Sequence, residues 1–313
     1  MKAIVLKEFG GIENLLLSEI PKPSIQPKEV LIEVKAISIN PVDVRTRSGS
    51  AMAQHLKQYL PLILGWDISG IVSEVGTEVT DFKLGDEVFG LVNFLGHGKA
   101  YAEYVAVPAN QLAIKPSNIN YEEAAAATLA ALTAWQFLKE NAKIKQGDRV
   151  LIQAASGGVG HYAVQMAKYL GAYVIGVSSS KNRAFVLAMG ADEHIAYDES
   201  PFEDIKQDVD IVIDAFAHDN LYKSLKVIKK GGKIISLLPM ISEDFLQKAK
   251  DKEVEVLYSL VTSSGINMKE IAELLAKGLL ISKVSKTYPF DQMGIAHLEM
   301  ETGKTIGKIV VKI

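Results

Sequence analysis

Along residues 29–39 (EVLIEVKAISI) apolar and charged side chains alternate with a period of two. Val30, Ile32, Val34 and Ala36 share one face, while Glu33 and Lys35 take the other, as in a half-buried β-strand. Short runs of the same kind lie at 2–6 (KAIVL), 68–76 (ISGIVSEVG) and 86–92 (DEVFGLV), punctuated by Gly85 and Gly90. From Met1 to about Asn118 the pattern predicts an antiparallel, barrel-like β domain. Near Tyr121 it changes to strands alternating with helical stretches, with strands expected at 149–154, 172–177, 193–197, 209–215, 232–238 and 254–260. That alternation predicts a doubly wound parallel sheet. Gly190 and Gly278 fall where helix C-caps belong, and the tail GKIVVKI (307–313) reads as a strand returning to the β domain. The predicted fold class is therefore α/β, a parallel nucleotide-binding sheet (121–269) inserted into a β domain (1–120, completed by 270–313). Such an insertion puts the active site in the cleft between the two parts.

Residues 149–171 (RVLIQAASGGVGHYAVQMAKYLG) form an apolar run, a small-residue loop and an amphipathic helix ending at Gly171. Gly157, Gly158 and Gly160 allow a tight turn, close approach of phosphate oxygens and close packing of helix on sheet. The loop residues Ser156, Gly157, Gly158 and Val159 are the expected source of amides for a pyrophosphate at the helix N-terminus. Ala155 stands where the G-x-G-x-x-G fingerprint has its first glycine, so an ordinary strand–turn–helix is the competing reading of this stretch alone.

The next strand, AYVIGV (172–177), indicates which dinucleotide. A carboxylate for a ribose 2′-hydroxyl is expected near its end; the chain has Ser178, Ser179, Ser180, Lys181, Asn182 and Arg183. Hydroxyls and cations suit a 2′-phosphate, which predicts NADP(H) over NAD(H), with Ser178, Ser179, Lys181 and Arg183 as its partners. Ser180 also has the character of a helix N-cap, and Lys181 and Arg183 oppose the dipole of the helix they would open.

Composition narrows the field. The 313 residues carry a formal net charge of −3, which offers no basic field for nucleic acid. No stretch has the length and apolarity of a membrane span, and the charged N-terminus does not read as a signal peptide. With no cysteine, disulfides, Cys-ligated zinc and thiol catalysis are excluded, and a cytoplasmic location is expected.

Several further segments occur in a recognisable order: ISINPVDVRTRSG (37–49), PLILGWDISGIVSEVG (61–76), GDEVFG (85–90), AYAEYV (100–105), AAAATLAALTAWQFL (124–138), AASGGVG (154–160), MGADEHIAY (189–197), KKGGKIISL (229–237) and TGKTIGKIVV (302–311). With them the chain resembles the medium-chain dehydrogenase/reductase superfamily, and within it the zinc-free quinone oxidoreductase branch. The resemblance implies a Rossmann domain inserted into a GroES-like β-barrel domain, a homodimer, and NADPH-dependent reduction of quinones or activated alkenes. Asn40 matches an asparagine near the nicotinamide ribose and the reacting carbon; an Asn-Pro turn is its local alternative. Thr128 and Thr133 match positions lining the nicotinamide pocket, or else serve tight helix packing. Tyr197 matches a tyrosine near the adenosine, or else closes its strand as a core aromatic. Zinc-dependent relatives have a cysteine in place of Asn40 and a His-Glu pair in place of Trp66 and Asp67, so no metal is expected. Without a Lewis acid, an already electrophilic quinone or enone is favoured over an alcohol.

Asp43 is expected to fix the loop after Asn40. Asp214 ends the fourth parallel strand, where either a ligand or the helix beginning near Asn220 would use it. Tyr59 and His97 are expected pocket walls, within a substrate pocket drawn from about 42–60, 92–98 and 258–266, and no general acid is assigned. Two other classes compete. Tyr222 and Lys226 match the Tyr-x-x-x-Lys spacing of short-chain dehydrogenases, on what reads as an exposed helix face. A non-catalytic NADPH-binding or sensor protein would keep the same fold without turnover.

Overall fold

The computed structural model describes residues 1–204 and 208–313, and the chain divides into two compact units. The first comprises Met1–Leu132 and Thr262–Ile313, the second Thr133–Val261.

The first unit is built on strand Glu29–Ile39, whose alternation survives in three dimensions. Val30, Ile32, Val34 and Ala36 are all buried, and Lys35 pairs with Glu33 on the other face. Leu31 is buried too, because this strand lies inside a seven-stranded sheet. The sheet's order is Val284–Pro289, Lys308–Lys312, Glu29–Ile39, Asp67–Val75, Glu87–Leu91 and Ala113–Ile114, with Tyr104–Pro108 also paired to the central strand. The tail returns as read from the sequence: Lys308–Lys312 lies antiparallel to Glu29–Ile39, with Ile309 opposite Ile39. One pairing departs from the antiparallel expectation, that of Val284–Pro289, which runs parallel to the tail strand. A three-stranded antiparallel sheet of Leu15–Glu19, Lys2–Leu6 and Leu62–Ile63 completes the unit.

Strand–helix alternation begins at Tyr121, yet the first unit continues through Leu132. Helix Tyr121–Ala126 opens with a capping box in which Glu123 N donates to Asn120 Oδ1 at 2.8 Å. Its alanines, Ala125 and Ala126, bury against Ala36 and Val310, so this helix covers the β sheet. At the other end the second unit closes at Val261 instead of residue 269, and helix Gly265–Ala276 belongs to the first.

The second unit holds six parallel strands in the order Glu193–Ala196, Tyr173–Ser178, Arg149–Ile152, Val209–Asp214, Ile228–Ser236 and Glu255–Tyr258. In chain order within the unit this is 3-2-1-4-5-6, the doubly wound arrangement whose switch point lies between Arg149–Ile152 and Val209–Asp214. Leu151, Ile175, Val212 and Ile234 are buried in the sheet's core, as their continuous apolar runs require. Left-handed glycines follow the helices before Gly171 (φ 87°) and Gly190 (φ 105°) here and the one before Gly278 (φ 66°) in the first unit.

Candidate active site

In the second unit, the loop after Ile152 is shaped by one backbone contact. Ala154 adopts φ 48°, uncommon for a residue with a side chain, and its carbonyl accepts from Gly157 N at 2.8 Å. Ala155 N donates to Val177 O at 2.9 Å, pinning the loop to the neighbouring strand. A Cβ on Gly160 would lie 2.1 Å from Ala154 O, so only glycine fits there. Helix Gly158–Tyr169 then starts at Gly157 with no side-chain cap, leaving its first amides available to an anion. Ser156 sits at the loop's edge and accepts a hydrogen bond from Asn182 Nδ2 at 2.9 Å. This cradle, at the carboxyl edge of a strand beside the switch point, fits a dinucleotide pyrophosphate.

The second strand's end is less purely cationic than its sequence. Lys181 and Arg183 are exposed, but Arg183 pairs with Glu199. Asp198 accepts from Ser180 N at 2.8 Å and Ser180 Oγ at 2.9 Å, bonds that hold its carboxyl below the usual range. Both carboxylates arrive from beyond the third strand, where reading the second strand alone does not look. Ser180 is thus held by Asp198 and caps no helix through its side chain. Ser178 is buried with its hydroxyl 2.7 Å from His194 Nε2, and Ser179 is also buried. Tyr197 is 61% exposed, so the core-aromatic alternative falls.

Asp214 is wholly buried, and its Oδ1 accepts from Phe216 N at 3.0 Å and Ala217 N at 2.6 Å. It therefore caps the turn after its own strand and not the helix Asp219–Val227, whose N-cap is His218. Burial pushes its carboxyl up from the usual value. The turn carries two successive left-handed residues, Ala217 (φ 57°) and His218 (φ 49°). Tyr222 donates to Asp244 Oδ2 at 2.7 Å and lies under Lys248, which accounts for it without a Tyr-x-x-x-Lys dyad. Thr133, in the same unit, is 6% exposed.

In the first unit a buried polar cluster surrounds Asn40, which is 2% exposed and begins helix Pro41–Arg47. The Asn-Pro pair is thus a helix start, with proline at the position where its missing N–H costs nothing. Asp43 fixes it as expected, accepting from Asn40 N at 2.7 Å. The Asn40 amide donates through Nδ2 to Asp67 Oδ2 at 2.7 Å and accepts from Lys308 Nζ. Asp67 Oδ1 in turn accepts from Leu129 N at 2.9 Å. Thr128 is buried and its hydroxyl donates to Ala125 O at 2.7 Å. Burial pushes Asp43 up to about 8, with the charge of Asp67 adding to the effect. Tyr101 Oη lies 3.0 Å from His297 Nε2, and burial beside Arg47 drives His297 down to about 3.

The predicted substrate segments are partly united. Phe94 N donates to Ser263 Oγ at 3.3 Å, joining 92–98 to 258–266. Tyr59 and His97 stack with ring centroids 4.9 Å apart. Asn93, Phe94 and His97 also line a cavity of about 740 Å³, but with Met1, Ile20 and Pro23 in place of residues 42–60. Lys308, which the sequence reading did not single out, is buried in the cluster around Asn40.

The donor set around Asn40 does not suit a divalent cation. Its amide oxygen and the Asp67 carboxylate already face the Lys308 ammonium, and the neighbouring Trp66 donates its indole N–H to Gly96 O at 2.8 Å.

Residues 26–117 match the family described as alcohol dehydrogenase GroES-like domain, and residues 189–311 match the one described as zinc-binding dehydrogenase. The chain is 34% identical to the NADPH-dependent alkenal/one oxidoreductase of Arabidopsis thaliana, over 99% of this chain and 79% of that protein. Among solved structures, the quinone oxidoreductase from Coxiella burnetii superposes with a TM-score of 0.94 at 36% identity, covering 100% of this chain and 99% of that one. The Escherichia coli quinone oxidoreductase complexed with NADPH gives 0.88 at 29% identity, with 100% of both chains covered.

Proposed function

The chain belongs to the medium-chain dehydrogenase/reductase superfamily, in its quinone oxidoreductase-like branch, and from that membership we propose that it reduces quinones or activated C=C bonds, such as α,β-unsaturated carbonyls, with NADPH. The observation that carries the reading is the phosphate cradle, in which Gly160 packs where no Cβ fits and the helix behind it is uncapped. The bound cofactor supplies the hydride. Amides of Ser156, Gly157, Gly158 and Val159 hold its pyrophosphate, and Ser178, Ser179, Lys181 and Arg183 surround its 2′-phosphate, with exposed Tyr197 against the adenosine. Asn40 orients the reacting groups, and Thr128 and Thr133 shape the nicotinamide's surroundings. Because Lys308 already supplies a buried positive charge beside Asn40 and Asp67, the reaction proceeds without zinc. The same reading takes the protein as a homodimer acting in the cytoplasm.

NADPH oxidation followed at its absorbance band, with 9,10-phenanthrenequinone, trans-2-hexenal and a nitroalkene as acceptors, tests the proposal. Turnover of at least one acceptor, faster with NADPH than with NADH, is the expected result. Tight NADPH binding with no turnover of any of them would establish the non-catalytic binding protein instead.

A further inference from the structure

In the first unit, the loop between strands Glu87–Leu91 and Tyr104–Pro108 is tied down along its length. Asn93 N donates to Gln111 Oε1 at 2.7 Å, the Trp66 indole holds Gly96 O, and Ala100 N donates to Gly65 O at 3.2 Å. Gly98 packs where a Cβ would lie 2.0 Å from Gly65 O. Two left-handed residues with side chains bracket the loop, Asn93 (φ 54°) and Lys99 (φ 59°). Such residues persist only where their surroundings fix them, and they gather at ligand sites. This loop forms part of the wall of the cavity of about 740 Å³, together with the proline-rich segment 20–26 and strand Tyr104–Pro108. The volume and the fixed wall are those of a preformed small-molecule pocket. Neither Asn40, Thr128 nor the phosphate cradle lines it.

The lining combines an apolar surface with one uncommitted cation. Ile20, Pro23, Ile63, Phe94 and Val105 present apolar side chains to the cavity. Lys22, from the same proline-rich segment, is engaged by the Tyr104 ring, 4.2 Å from its centroid, and by Glu74 at 3.3 Å. Glu29 accepts from Gln26 N at 2.9 Å and would repel a carboxylate placed beside it. His97 Nε2 lies 3.0 Å from Ile63 O, and burial, with the charge of Lys99, pushes His97 down to about 4, so its ring is neutral at pH 7. Lys99 is exposed at the cavity and has no carboxylate partner among the described residues. We propose that this cavity is a second ligand site, for a small carboxylate with a flat apolar body, the carboxylate meeting Lys99 and the body lying against Phe94 and Ile63. Glu29 then fixes which way round the ligand sits. The inference does not depend on hydride transfer, since binding here calls on neither cofactor nor acceptor.

The probes are 2-naphthoate and its uncharged counterpart 2-naphthol, titrated at pH 7 by calorimetry into the parent, Lys99→Asn, Ser24→Phe and Ala106→Phe. Asparagine removes the charge at position 99 while tolerating the left-handed backbone. Ser24 and Ala106 both line the cavity, on the proline-rich segment and on the strand, so each phenylalanine fills it from a different wall. Ser24 is exposed on its loop, so its variant is expected to melt near the parent. The parent is expected to bind 2-naphthoate with a Kd below about 1 mM, more tightly than 2-naphthol. Lys99→Asn should weaken 2-naphthoate about three- to fivefold, the scale of one exposed charge pair, and leave 2-naphthol within about twofold. Loss of about tenfold or more for both probes in either filled variant, with melting temperature and NADPH affinity retained, would place the ligand in the cavity. No binding of 2-naphthoate by the parent at 1 mM, unchanged binding in both filled variants, or competition between 2-naphthoate and NADPH would overturn the site. Equal losses of the two probes in Lys99→Asn would overturn its choice of a carboxylate.

Discussion

Alanine at position 160 isolates the contact on which the phosphate cradle depends. The added Cβ would meet Ala154 O at 2.1 Å, with Ala154 C and Ala155 Cα each at 2.8 Å. Carbon–oxygen contacts normally settle at about 3.3 Å, so roughly 1 Å must be found, and all three atoms are backbone. No rotamer can provide it. Ala154 is already left-handed and is tied to Gly157, so helix and loop must separate. Overpacking of this kind costs about 1–3 kcal/mol of stability. The larger effect falls on the ligand, because the separation moves the amides at the helix start. Losing one hydrogen bond to a charged group costs about 1.5–3 kcal/mol, so NADPH affinity should fall about 10- to 150-fold. Gly157→Ala provides the graded comparison, since its Cβ would stand 3.2 Å from Ala154 O and needs only a small adjustment. Fluorescence titration with NADPH, with melting temperature alongside, should rank the two with Gly160→Ala far the weaker binder. Equal binding by Gly160→Ala and the parent would refute the close-approach reasoning.

Three further outcomes follow from charges around the two clusters. His297 is held near 3 in the fold against 6.5 when unfolded, so its contribution is present above about pH 6.5 and is lost as pH falls toward 3. At about 1.36 kcal/mol per unit the loss approaches about 5 kcal/mol, and His297→Gln should flatten the acid side of urea midpoints measured against pH; an unchanged slope would show that other groups govern it. Replacing Lys181 and Arg183 together by alanine should weaken NADPH far more than NADH in direct titrations, and equal losses would remove them from the phosphate site. Asp198→Asn with Glu199→Gln should tighten NADPH about two- to fivefold by freeing Ser180 and Arg183 from exposed carboxylates, while leaving NADH unchanged. Weaker NADPH binding would show that the carboxylates organise the site instead of competing for it.

Local pattern was enough wherever neighbours in sequence are neighbours in space. The alternation of Val30, Ile32, Val34 and Ala36 marks the central strand because side chains two apart share a face. The glycine loop and the capping glycines are equally local, since each answers to a backbone angle or one turn of helix. The boundary at Leu132 was not legible, because Ala125 and Ala126 give no sign of whether they will cover the parallel sheet or the strand carrying Ala36. Nor were Asp198 and Glu199, whose partners lie 18 and 16 positions upstream across a parallel crossover.

Lys308 marks where such pattern reading misleads as well as falls short. In GKIVVKI, Lys308, Val310 and Lys312 share one face, and lysines at both ends of a strand read as solvated charge. Lys312 is indeed exposed and pairs with Glu122. Lys308, four positions earlier on the same face, is buried because Asn40, 268 residues away, and Asp67 supply acceptors that water would otherwise provide. Two of its N–H bonds meet the oxygens of Ile39 and Asn40, and the Asp67 carboxylate faces its charge at 3.8 Å, so the cost of burying it depends on the whole cluster. Removing Asp67 alone should be worse for the fold than neutralising both partners. The same reasoning explains why Trp66 and Asp67 carried no sign of this arrangement in sequence. Their meaning depends on a cation that arrives from the far end of the chain.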